Sequence, residues 1–120
     1  MNLLEVFKDS EDVVEFPAGT VILTEGEEGN IMYVVMSGEV NISLKGKALA
    51  TAVPGDIVGE MALINSDIRS ATATAKTDCR LVLIDQSSFN SLLRYVPDFS
   101  LHVMGVLANR VQSAYEKGDD

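Results

Sequence analysis

Cysteine and histidine are almost absent from this sequence, which has one of each in 120 residues. A lone cysteine excludes an intrachain disulfide, and because Cys79 lies in an apolar run we expect it to be a buried, inert thiol. A metal site needs several converging ligands. One histidine, His102, with no cysteine partner cannot provide them. These shortages argue against metal-dependent enzymes, including those built on a cupin-like β-roll, and against metal-dependent cyclases or phosphodiesterases.

Positive charge is also scarce. Nine Lys and Arg residues face 18 Asp and Glu residues, which gives a formal net charge of -9. Nucleic-acid binders usually carry the opposite balance because they neutralise phosphates, so we expect no nucleic-acid partner. No apolar run approaches the roughly 20 residues of a membrane span, and no signal peptide is visible at the N-terminus. We therefore expect a cytoplasmic protein that does not insert into a membrane.

Short apolar runs separated by turn residues dominate the first two thirds of the chain. They cover residues 20–23, 31–36, 39–44 and 49–53, and glycine-containing or proline-containing turns lie between them. Val40, Ile42 and Leu44 alternate with polar residues, which is the period of a strand with one buried face. Short strands at this spacing predict an all-β sandwich or barrel.

The pattern changes at residues 59–65, which favour a short helix, and strand-like sequence returns at 70–75 and 80–84. The last third is helical: apolar residues recur every three or four positions, Pro97 interrupts, and a second helix runs towards Tyr115. We expect one domain over residues 1–120, with a β-roll at about 13–85 and a helical C-terminal element at about 86–117. The acidic run at residues 25–28 is expected to be a solvated loop, and the turn glycines are expected to be structural.

Residues 59–73 contain the most informative chemistry. A helix that starts after Gly59 would present unpaired backbone N–H groups and a positive dipole end to an anion. Arg69 lies nine residues beyond Glu60, so the intervening loop can return its guanidinium to the helix start, and Ser70 adds a hydroxyl donor. A carboxylate only accepts hydrogen bonds, so Glu60 suits a sugar hydroxyl better than a phosphate. Phosphate and sugar hydroxyl together indicate a nucleotide.

Gly59-Glu60-x-Ala62-Leu63 followed by Arg69-Ser70-Ala71-Thr72 resembles the phosphate-binding cassette of the cyclic-nucleotide-binding domain family, of the catabolite activator and protein kinase A regulatory subunit type. We call residues 59–73 the cassette. The resemblance extends over nearly the whole chain, because the turn motifs at residues 17–20, 25–29, 37–40 and 54–56 follow the family's order and spacing. It implies a mainly β fold with C-terminal helices, namely a double-stranded β-helix (a jelly-roll-like β-roll) with a short phosphate-cassette helix.

The resemblance also assigns roles within the cassette. Arg69 matches the arginine that pairs with the cyclic phosphate, and Glu60 matches the glutamate that accepts the ribose 2′-hydroxyl. Gly59 and Ala62 match positions whose backbone approaches the sugar and phosphate, and Met61 between them is counted in the site. The ligand implied is cAMP, with cGMP as the alternative.

Two further site residues follow from the resemblance. Ser70 could help to hold the phosphate or touch the base. The family's C-terminal helix closes over the base, and Tyr115 is our candidate for the residue that stacks on it. The expected protein is a stand-alone sensor without catalysis, in which ligand binding shifts the population of the cassette and the C-terminal helix, and a partner protein reads the change.

Other interpretations remain open at this stage. Arg69 could form an ordinary salt bridge with Asp67 or Glu60, and Glu60 could be a helix-start carboxylate favoured by the dipole. Ser70 and Tyr115 could be structural residues of a strand and a helix. The whole roll could also be a nucleotide-independent protein-interaction domain.

Overall fold

A computed structural model describes residues 1–118, except for the side chains of residues 66, 117 and 118. The chain divides into two compact units. The first covers Asn2–Gln86 and contains all the strands, and the second contains Met1 and the helices from Ser87 onward.

The first unit opens with a short helix and continues as eight strands. Helix α1 spans Leu3–Val6, and the Asn2 side chain caps it by accepting from the backbone N–H groups of Leu4 and Glu5. The strands are β1 Val13–Phe16, β2 Val21–Leu23, β3 Ile31–Ser37, β4 Val40–Leu44, β5 Lys47–Ala52, β6 Ile57–Val58, β7 Thr72–Ala75 and β8 Cys79–Asp85.

The strands form two four-stranded antiparallel sheets. One has the order β1-β8-β3-β6 and the other the order β2-β7-β4-β5. Residues that alternate along the strands supply a shared apolar core. Leu44, predicted on the buried face of β4, is exposed, because the pairing of β4 with β5 shifts register between Ile42 and Ser43. This core contains Leu23, Tyr33, Val35, Val40, Ala52, Val58, Ala73, Ala75, Cys79 and Leu81. The structure thus confirms the prediction of a mainly β fold followed by helices.

The predicted turns coincide with glycines in the left-handed region of backbone space. Gly19, Gly26, Gly38, Gly46 and Gly55 all have φ between 79° and 96°, a conformation that costs other residues about 1–2 kcal/mol. Strand β6 was not predicted from the sequence, because two residues are too few to show a period.

The second unit contains two helices, α2 at Gln86–Tyr95, whose first residue still belongs to the first unit, and α3 at Pro97–Gly118. Pro97 occupies the first position of α3, where its missing N–H is not needed. The predicted interruption at Pro97 is therefore the junction between α2 and α3. Phe89 and Phe99 are buried and meet edge to face at 5.9 Å between ring centroids. Within residues 1–118, none of the helices is long and apolar enough to span a membrane.

We predict that Gly38→Ala destabilises the fold by about 2–4 kcal/mol. Gly38 has φ +84°, and an added Cβ would meet the backbone of Asp78 and, at 2.9 Å, the Sγ of Cys79. Gly46→Ala is the matched control, because Gly46 has φ +79° with open space around it; it should cost only about 1 kcal/mol of backbone strain. Urea unfolding followed by circular dichroism measures both, and equal losses would contradict the packing around Gly38.

Candidate functional site

The cassette begins with a sharp change of direction after β6. Gly59 has φ +83°. Glu60 follows it, and only 1 % of its surface is exposed. Helical conformation then runs into a single π-helical turn at Ala62–Ser66, where the sequence predicted a short helix without specifying its type. Asp67, in the left-handed conformation with φ 58°, ends this turn by donating its N–H to the Ala62 carbonyl at 3.1 Å.

After this turn, the chain returns the Arg69 side chain to the start of the cassette. Its Nη1 donates to the carbonyl oxygen of Gly59 at 3.1 Å, and only 8 % of the residue is exposed. The geometric expectation from the spacing of Glu60 and Arg69 is therefore met: the loop brings the guanidinium to the first residue of the cassette.

The backbone around Arg69 is fixed by the loop between β2 and β3. Gly26 N–H donates to the Arg69 carbonyl at 2.9 Å, and Arg69 N–H donates to the Glu27 carbonyl at 2.8 Å. Gly29 N–H donates to the Asp67 carbonyl at 2.8 Å. These three bonds pair the β2–β3 loop with residues 67–69 in an antiparallel manner, so the segment that carries the guanidinium has a defined position.

One member of the acidic run has a specific role in this pairing, which corrects the expectation that residues 25–28 form only a solvated loop. Glu25 is half-buried, and its carboxylate accepts from the Thr72 hydroxyl at 3.0 Å and from the Lys45 N–H at 3.0 and 3.1 Å. Its own N–H donates to the Thr72 hydroxyl oxygen at 3.1 Å. Glu27 and Glu28 are exposed, as predicted.

Burial lowers the pKa of the Arg69 guanidinium below its ordinary value, and its interaction with the nearby Tyr33 phenol partly offsets this. Burial likewise raises the pKa of Tyr33, whereas the positive charge of Arg69 lowers it. Arginine keeps its proton at physiological pH despite such shifts. Arg69 is therefore a buried cation with a phenol beside it.

The salt bridges expected as the alternative role of Arg69 are not present in the described part of the chain. The ion pairs found there join Lys8 to Glu5, Lys76 to Glu39 and Arg80 to Glu15, and Arg69 takes part in none of them. The one side-chain hydrogen bond of Arg69 among the described residues is the bond to Gly59. A buried charge without an opposite charge is costly in free energy.

The other predicted site residues are placed as follows. Met61 directly precedes the π-helical turn and is half-buried, and Ala62 begins that turn and is buried. Ser70 follows Arg69 directly but is exposed. Tyr115 belongs to the other unit, near the end of α3, and is 73 % exposed. The structure therefore brings Gly59 and Arg69 together within the cassette, and the ligand-binding roles of all the predicted site residues stay predictions.

Two neighbours of Arg69 were missed from the sequence. Tyr33 lies in the core strand β3, and nothing in a period-two apolar pattern marks it as a partner of a distant arginine. The sequence predicts Gly29 to be one of the structural turn glycines. It does not have the left-handed backbone of the others, and the space that a Cβ would need is occupied by the Arg69 guanidinium.

Comparison with known proteins agrees with this geometry. The family model for the cyclic nucleotide-binding domain matches residues 13–95, which include all the strands, the cassette and α2. The chain belongs to the cyclic nucleotide-binding domain family. The resemblance proposed from the sequence is thereby confirmed, as is the β-roll fold.

Individual relatives are longer proteins that contain a similar domain. The cAMP-dependent protein kinase regulatory subunit of Schizosaccharomyces pombe is 37 % identical over 86 residues, covering 71 % of this chain and 21 % of that protein. The crystal structure of the Thermus thermophilus catabolite activator protein superposes with a TM-score of 0.81 at 30 % identity, covering 89 % of this chain and 53 % of the other. The cAMP-bound structure of PfPKA-R gives a TM-score of 0.73 at 28 % identity, covering 93 % and 43 %. This chain thus spans about a fifth to a half of these relatives.

We predict that Arg69→Gln raises the pKa of Tyr33 further, because it removes the positive charge that favours the phenolate. Alkaline titration followed by tyrosinate absorbance measures the pKa values of the tyrosines. The part of the absorbance change that is lost in Tyr33→Phe belongs to Tyr33. Since the folded protein holds the Tyr33 proton more tightly than the unfolded chain, stability should also fall as the pH rises above about 10. An unchanged Tyr33 titration in Arg69→Gln, as expected for the exposed control Arg80→Gln, would contradict the proximity of the two side chains.

Proposed function

We propose that this domain is a sensor that binds a cyclic purine nucleotide, cAMP in the first place, with the cyclic phosphate against Arg69. The observation that carries the proposal is the buried guanidinium, which has no carboxylate partner in the described residues and uses one of its donors on Gly59. Arginine has five N–H donors in a planar fork that suits phosphate oxygens. A phosphodiester anion would supply both the missing charge and the missing acceptors.

Glu60 supports the same ligand. Its side chain is buried at the start of the cassette, next to the glycine whose carbonyl binds Arg69. We assign it to the ribose 2′-hydroxyl, because an ionised carboxylate accepts hydrogen bonds and would repel a phosphate. Gly59, Met61 and Ala62 would complete the wall around the sugar and phosphate.

We assign the two exposed residues, Ser70 and Tyr115, to further contacts with the ligand. Ser70 would donate its hydroxyl to the phosphate or the base, and Tyr115 would stack on the purine. The cAMP-bound relative supports cAMP as the ligand, and cGMP is the alternative. We further propose a cytoplasmic, non-catalytic protein in which movement of the C-terminal helix is read by a partner protein.

Arg69→Ala should weaken cAMP binding by roughly tenfold to a hundredfold, because a charge-assisted hydrogen bond contributes on the order of 1.5–3 kcal/mol. Glu60→Gln should weaken it less, since an amide oxygen still accepts from a hydroxyl. Isothermal titration calorimetry with cAMP and cGMP measures the dissociation constants and ranks the two nucleotides. Arg80→Ala is the matched control, because Arg80 is an exposed arginine on β8 that pairs with Glu15 at 3.6 Å.

The melting temperature separates this proposal from a nucleotide-independent interaction domain. A ligand at a concentration 100 times its dissociation constant stabilises the folded state by about 2.7 kcal/mol. The sensor therefore melts at a higher temperature in cAMP or cGMP, and the Arg69→Ala variant shows a smaller rise. If neither nucleotide changes the melting temperature of the unmodified protein, the sensor proposal is wrong and the interaction domain becomes the better account.

A further inference from the structure

Gly29 and Gly59 flank the guanidinium of Arg69. An ideal Cβ on Gly29 would overlap the Nε, Cζ and Nη2 atoms of Arg69, and one on Gly59 would lie 2.8 Å from its Nη1. The two glycines thus approach different atoms of the same planar group. The cation lies where a side chain at position 29 would lie and close to where one at position 59 would lie, and we call this space the glycine slot.

The two glycines differ in a way that makes the slot testable. Gly59 has φ +83°, so any other residue there would also strain the backbone. Gly29 does not have a left-handed backbone and is tied by its N–H to the Asp67 carbonyl at 2.8 Å. Alanine at position 29 therefore needs no left-handed backbone, and the three atoms nearest to its Cβ all belong to the Arg69 side chain.

We infer that Gly29 is a positioning residue for Arg69: its missing side chain lets the guanidinium lie in the slot where a ligand phosphate would meet it. The inference rests on the proposed function for its consequence in binding, although the contact itself is independent of any ligand. The end of an arginine side chain is flexible and can shift at little cost to the fold. A methyl group at position 29 would therefore move the cation while leaving the sheets intact.

This separation of effects distinguishes a positioning role from an ordinary structural one. A structural glycine, when replaced, lowers the melting temperature and affects binding only through the loss of folded protein. A positioning glycine changes the location of Arg69 and so weakens phosphate binding in protein that remains folded. The alignment of donors with an anion decides most of the strength of a charge-assisted hydrogen bond.

The test is a double-mutant cycle of Gly29→Ala and Arg69→Ala, with cAMP affinity measured by calorimetry. We expect Gly29→Ala to weaken binding by about tenfold or more with a melting temperature within a few degrees of the unmodified protein. In the Arg69→Ala background the same change should have no further effect on affinity, because its target is absent. Gly19→Ala is the control: Gly19 has φ +89° and open space, so it should lower stability but leave affinity unchanged.

A second readout needs no ligand. The ¹H–¹⁵N resonance of the Arg69 Nε, assigned by its loss in Arg69→Lys, should shift in Gly29→Ala and stay in place in Gly19→Ala. If the unmodified protein binds no cyclic nucleotide but the resonance shifts, the proposed function fails while the positioning role stands. An unmoved resonance, or equal weakening by Gly29→Ala with and without Arg69, would overturn the positioning role.

Discussion

The burial of one positive charge constrains how the cassette and the β2–β3 loop are arranged in this domain. Arg69 lies in a part of the fold where only 8 % of its surface is exposed, and its guanidinium donates to a backbone carbonyl. Transfer of a charge from water into such a position costs free energy that a single neutral acceptor does not recover. The protein therefore holds a buried cation that the proposed function assigns to a ligand phosphate, and the surrounding backbone has to keep it there.

The sheets provide that support by extending their pairing beyond the strands. Strands β2 and β7 are antiparallel neighbours, with Val21 opposite Thr74. The same pairing continues past their ends, through the Glu25–Thr72 contact to the backbone bonds between Gly26 and Arg69. The cassette is thus anchored at its C-terminal end by the ladder of one sheet, and at its N-terminal end it follows β6 of the other sheet.

Local signals allowed much of this arrangement to be predicted. The alternation at Val40 and Ile42 and the left-handed glycines at the turns depend only on neighbouring residues, and the return of Arg69 to Gly59 follows from the length of one loop. The roles of Gly29 and Tyr33 depend on contacts between residues about 40 positions apart, which no local pattern records. From a single sequence, a glycine that is needed because another side chain fills the space beside it cannot be told from a glycine that is needed for its backbone conformation.

The proposed signalling mechanism depends on this prepared site, because a ligand can shift a conformational equilibrium only by its differential affinity for the two states. The most direct test of the account is a crystal structure of the protein with cAMP. We expect a phosphate oxygen within hydrogen-bond distance of an Arg69 guanidinium nitrogen and the ribose 2′-hydroxyl on Glu60. A nucleotide bound elsewhere, or a cassette that stays unoccupied at saturating cAMP, would contradict the central claim.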